Sequence, residues 1–122
     1  MHHQLRDAKA YISKEDYAIC TADSLSANAF ANIVDDMETT VIIDEAKLDF
    51  EPLKIEKGWK IITLDIVFPM DTTGVTSRIS GAFADAGVSV MPIAAFSRDH
   101  FLVRDIEKAR GALEDIGITV HR

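Results

Sequence analysis

The sequence predicts an α+β protein, with a β-α-β-β-α-β unit over residues 58–122 and a smaller, strand-rich half over residues 1–57. Three observations carry that prediction. Short β-branched runs bounded by turn residues recur along the chain, and two segments of the second half switch to helical spacing. A charged stretch with a proline and a glycine, DFEPLKIEKGWK (residues 49–60), separates the two patterns.

In the first half, DYAICTA (residues 16–22), FANIVDD (30–36) and TTVIIDE (39–45) read as strands, with DDME (35–38) as a hairpin turn. DSLSANA (23–29) is short and polar, enough for one helical turn at most. In the second half, WKIITLDIVF (59–68) reads as a strand stopped by Pro69. A helix follows, because Val75, Ile79, Ala82, Phe83 and Ala86 recur at spacings of three and four. Asp71, Thr72 and Thr73 offer capping oxygens, and Gly87 a C-terminal stop. VSVMPIAAF (88–96) is a strand whose Pro92, lacking a donor N–H, puts it at an edge or a bulge. SRD (97–99) reads as a turn and HFLVR (100–104) as a strand. DIEKARGALEDIG (105–117) reads as a helix capped by Asp105 and ended by Gly117, and ITVH (118–121) as a last strand. This order is the ferredoxin-like unit, one antiparallel sheet with both helices on one face.

Alternation along the strand at 59–68 points Ile62, Leu64, Ile66 and Phe68 toward the helices. Trp59, Ile61, Thr63, Asp65 and Val67 point the other way, and Trp59, Ile61 and Val67 are strongly apolar. A sheet face open to water alternates more cleanly, so this second face, or an edge, should be covered by the first half or by another copy.

The chain has 122 residues, 48% hydrophobic and 27% charged, in the range of folded domains. A net charge of −7, with basic residues scattered among acids, argues against nucleic acid or an anionic membrane as the main ligand. No apolar run reaches the ~20 residues that span a bilayer, and the start lacks the apolar core of a secretory signal. The lone Cys20 excludes an intrachain disulfide and fits a reducing, cytoplasmic setting. Its apolar context, YAIC, reads as a buried inert thiol. Catalytic, metal and cofactor readings find little support: the four His are scattered, with no H-x-x-x-H or C-x-x-C spacing. Ser77 and Ser80 sit in no nucleophile elbow.

The stretch FPMDTTGVTSRI, a strand followed by D-x-x-G and a helix closing on ADAGVSV, resembles the ACT domain, over about Gly58 to Arg122. VMPIAAFSRDHFLV (90–103) resembles the CASTOR-type ACT subfamily, which includes arginine-sensing proteins and small bacterial proteins of unassigned role. FANIVDDMETTVIIDE, with Glu38 before an apolar strand, resembles the partial ACT-like half that precedes the full domain in that subfamily. The chain departs from the subfamily at Ala94 and Ala95, where Ser-Thr is usual, and at His100, where Tyr is commoner.

The resemblance implies a non-catalytic regulatory module for a small molecule such as an amino acid, oligomeric with itself, and passing its signal to a regulated protein. The expected ligand-binding residues are Met70, Asp71, Thr72, Thr73, Gly74, Val75, Thr76, Phe96 and Asp99. Physical chemistry offers a reason. The first N–H groups of a helix have no intrahelical partner and attract a carboxylate, Gly74 allows close approach, and the threonines add hydroxyls. Asp99 would balance a ligand's ammonium or guanidinium. The alternatives are that Asp71 only caps the helix and Asp99 only shapes a turn. An oligomerisation module without a metabolite, or a small enzyme, are the competing functions.

Overall fold

The computed structural model describes residues 8–65, 72–96 and 98–122. The β-branched runs form strands β1 (Lys9–Ile12), β2 (Tyr17–Ala22), β3 (Ala31–Val34), β4 (Thr39–Asp44), β5 (Lys54–Asp65), β6 (Val90–Ile93), β7 (Arg98–Val103) and β8 (Thr119–His121). The two segments of helical spacing form α1 (Thr72–Asp85) and α2 (Ile106–Asp115). The chain divides into two compact units, one made of the segment ending at Lys14 together with Lys60–Arg122, the other of Glu15–Trp59.

The first unit is the ferredoxin-like sheet with one strand added. β7 pairs antiparallel with both β5 and β6, and β1 lies between β5, to which it is antiparallel, and β8, to which it is parallel. The strand β1 is the stretch KAYI, which carries no clear strand signal and lies within residues 1–57. Its pairing puts this N-terminal segment in the sheet of the C-terminal half. Ala10 and Ile12 turn inward beside Ile62, Leu64, Phe101 and Val103, and both helices cover that face with Ile79, Phe83, Ala109, Ala112 and Leu113. The rings of Phe83 and Phe101 meet edge to face, centroids 5.7 Å apart. On the opposite face Ile61 and Leu102 are buried as well, as the apolar pattern of that face required.

Both helices stop in the same way. Gly87 has φ +73° and Gly117 φ +94°, a left-handed conformation that glycine adopts without a Cβ penalty. Val88 N–H then reaches back to the Phe83 carbonyl and Ile118 N–H to that of Leu113. The glycine therefore turns the chain and buries the next apolar residue in the same core. At its other end α2 is capped by the Asp105 carboxylate, which accepts from Lys108 N–H. Pro92 lies in β6, which among the described residues pairs with β7 alone, so it sits in an edge strand.

The second unit is a sheet in the order β3-β4-β2 with the N-terminal part of β5 beyond β2. Ala18, Cys20, Ala22, Val41 and Ile43 form its small core, with Ala29, Leu48 and Phe50 laid over it. Residues 23–29, where one helical turn was possible, hold no α-helix. The stretch read as a boundary is instead strand from Lys54 onward, so β5 starts earlier than the expected Trp59. Gly58, at φ +83°, accommodates a one-residue bulge there: Tyr17 faces Trp59 while Ile19 faces Glu56.

Candidate functional site

The expected site falls in the first unit, and its parts can be located separately. Met70 and Asp71 lie outside the described residues. Thr72, Thr73, Gly74, Val75 and Thr76 form the first turns of α1, where Gly74 is half-buried. Phe96 is fully exposed, with relative accessibility 105%.

Asp99 is a strand residue of β7, facing Leu64 of β5 across the ladder, where the sequence had suggested a turn. Alternation puts it on the helix-bearing face, in line with the buried Phe101 and Val103, and it is half-buried. Its carboxylate accepts from Ala95 N–H at 3.4 Å, tying the β6–β7 connection to the strand.

The registers fix which end of the sheet holds each part. β6 begins at Val90, opposite Val103, which lies opposite Lys60. Only a few residues separate that point from Asp85, so α1 ends near the Lys60 end of β5. A straight helix packed along the sheet then starts toward the Asp65 end, where Arg98 and Asp99 also lie. The first turn of α1 and the Asp99 carboxylate thus share one end and one face of the same unit. The first N–H groups of a helix and a carboxylate on the same face are the two kinds of group that a zwitterion needs, the first for its carboxylate and the second for its ammonium.

Neighbouring His100 points to the other face, where its Nδ1 lies 2.8 Å from Thr63 Oγ1. Burial lowers its pKa below the ordinary 6.5, the Arg98 charge adds to that, and Asp99 opposes both. The fold therefore favours the neutral ring, and the unfolded chain takes up the proton first as pH falls. Stability is expected to be full above about pH 6.5 and to decline below it until the folded His100 also titrates. Urea midpoints from pH 7.5 to 5 should fall in the wild type and fall less in His100→Gln. Equal slopes would remove His100 from this role.

Cys20 is buried in the core of the second unit, and burial pushes its thiol pKa up, which suits packing and not nucleophilic attack. Among the described residues no group of three or more His, Cys, Asp or Glu is arranged to hold a metal ion.

Two open clefts in the second unit were not anticipated from the sequence. One, of about 460 Å³, lies between the β3–β4 turn, the end of β2 and Leu53–Lys54. The other, of about 480 Å³, lies between residues 22–27 and 49–51. They arise from pairing of distant strands, and no local motif marks them.

Residues 54–115 match the family described as the ACT domain. Among solved structures, a structural-genomics protein from Agobacterium tumefaciens is 21% identical with a TM-score of 0.81, covering 94% of this chain and 93% of that one. A Vibrio cholerae protein of unknown function, described as a possible transport protein, is 20% identical with a TM-score of 0.76, covering 95% and 94%. The regulatory subunit of aspartate kinase from Thermus thermophilus is 10% identical with a TM-score of 0.61, covering 88% and 95%. At these identities the likeness establishes a shared fold. No curated protein matches the chain significantly. No described helix is long and apolar enough to cross a membrane.

Proposed function

The chain belongs to the ACT domain family, and from that premise we propose that it is a non-catalytic regulatory module that binds a small molecule, an amino acid being the favoured class. What supports this reading is the topology, which puts the start of α1, with Gly74, and the half-buried Asp99 toward the same end and face of the first unit. Gly74 lets a carboxylate approach the backbone, Asp99 balances the cationic group, and Thr72, Thr73 and Thr76 lie in the same turns. Met70, Asp71, Val75 and Phe96 complete the site in this reading. The likeness to an aspartate kinase regulatory subunit supports a regulatory role.

The stretch at residues 90–103 resembles the CASTOR-type motif and supports membership of that subfamily in our reading. In the same reading residues 1–57 form the partial ACT-like half and 58–122 the full domain, save that β1 is lent to the latter's sheet. A cytoplasmic homo-oligomer that transmits ligand occupancy to a regulated protein is the form this proposal takes. One observation favours the competing reading, an oligomerisation module without a metabolite: the Asp99 carboxylate already accepts from Ala95 N–H.

Thermal-shift measurements with the common amino acids separate the two. A ligand at 100 times its Kd should add about 2.7 kcal/mol to stability, and Asp99→Asn should abolish the shift. If no amino acid raises the melting temperature, the metabolite-binding reading is lost.

A further inference from the structure

We propose that the open end of the second unit is a docking surface for a basic, amphipathic segment of a protein partner. The surface uses none of the residues of the ligand site proposed above, and the inference does not depend on that ligand.

The apolar part of this surface is unusual in its exposure. Met37 is 90% exposed, Leu53 65%, and Val34 and Leu25 61% each. The ladders bring two of these positions together. Val34 faces Thr39, Thr39 faces Ala22, and Leu53 N–H bonds the carbonyl of Thr21, so one row across the sheet leads from Val34 to Leu53. Met37 stands at the tip of the β3–β4 turn and shares the first cleft with Leu53. Leu25 lines the adjoining cleft, which meets the first at Ala22 and Asp23. Several exposed large apolar side chains on one end of a small unit mark an interaction surface.

Met37 is held outward by its turn. The Asp35 carboxylate accepts from Met37 N–H at 2.7 Å and Glu38 N–H at 2.8 Å, while Asp35 N–H donates to the Glu38 carbonyl at 3.1 Å. These bonds also stabilise the ionised carboxylate and lower its pKa, so the turn keeps its charge at neutral pH. A fixed backbone thus presents a thioether side chain that adapts its shape to what it meets. Presenting an apolar group from an ordered turn reduces the entropy lost on association.

The charge around the patch selects the partner. Asp23, Asp35, Asp36 and Glu38 line the first cleft against the single base Lys54, and Asp49 and Glu51 line the second. The acids form a rim and do not converge on a point, and no described group could hold a metal ion. Two copies of this surface would bring like charges together, and an anionic membrane would be repelled. The complementary occupant is a peptide segment whose apolar residues enter the clefts and whose Lys or Arg residues meet the rim.

The test uses the full chain and two synthetic 16-residue peptides of equal Leu and Lys content, one with leucines at helical spacing and one scrambled. Fluorescence anisotropy should show saturable binding of the first, at least about tenfold tighter than the second. The Met37→Ser/Leu53→Ser double variant should weaken it at least about tenfold, and Asp23→Asn/Asp36→Asn should reduce both affinity and its salt dependence. Both pairs alter exposed or turn residues, and circular dichroism confirms that each variant is folded. Amide shift changes on titration should centre on residues 21–25, 35–39 and 49–54. Equal binding of the two peptides, shift changes centred elsewhere, or an unaffected Met37→Ser/Leu53→Ser variant would overturn the proposal. So would light scattering that shows a homodimer dissociated by that variant, since a second copy would then be the occupant.

Discussion

Phe83→Ala is expected to destabilise the protein by about 3–5 kcal/mol, the range for deleting a fully buried aromatic ring. Phe83 is wholly inaccessible, lies on the inward face of α1, and meets Phe101 edge to face. It also supplies the carbonyl that accepts from Val88 N–H after the Gly87 turn, so its side chain and backbone anchor the same helix end. The loss combines apolar transfer, a cavity between α1 and the sheet, and the missing aromatic pair. Domains of this kind are stable by about 5–15 kcal/mol, so one substitution would remove a large part of the total. With urea slopes of about 1–3 kcal/mol/M, the unfolding midpoint should drop by at least about 1 M. A loss below about 1 kcal/mol would mean that α1 does not depend on this ring.

Ala10→Asp should be comparably severe. Ala10 is fully buried in β1, facing Leu64 on one side and Val120 on the other. A carboxylate there has no partner and costs several kcal/mol when ionised. The fold would answer by raising the group's pKa above its unfolded value near 3.9. The defect relative to wild type should therefore be largest at neutral pH and shrink as pH falls toward 4. Lys9→Asp is the matched control: the neighbouring side chain is exposed and points to the other face, and although the new carboxylate would face Asp65 across the ladder, its cost should stay within about 1 kcal/mol. Chemical denaturation of both variants at pH 4.5 and 7.5 checks the prediction. Equal damage from the two substitutions would show that β1 is not held in the sheet by its inward face.

Much of the fold was legible from local pattern. The α1 period surfaced as Ile79 and Phe83 in the core, and Gly87 and Gly117 took the left-handed conformation that ends each helix. Pro92 announced an edge strand, and DDME a hairpin turn closed by Asp35. Each signal is carried by a few adjacent residues whose sterics and hydrogen bonds are nearly the same in any context. The candidate site was legible only in part. Motif and helix start nominate Gly74 and its neighbours as a candidate, whereas the face and end occupied by Asp99 follow from strand register. Phe96 is fully exposed, a property that its place in the motif does not record.

What the amino-acid sequence by itself determined was the kind of each main element and where the helices stop, because periodicity, proline and glycine act within a turn or two. The tertiary structure alone decided that KAYI becomes a strand between β5 and β8, that β5 runs through the expected boundary, and that Asp99 faces the helices from within a strand. A four-residue run is too short to declare a period, and its partners lie far along the chain. Such pairings form only when distant residues gain more from shared burial than the chain loses in entropy on bringing them together, a balance that no local stretch of sequence records.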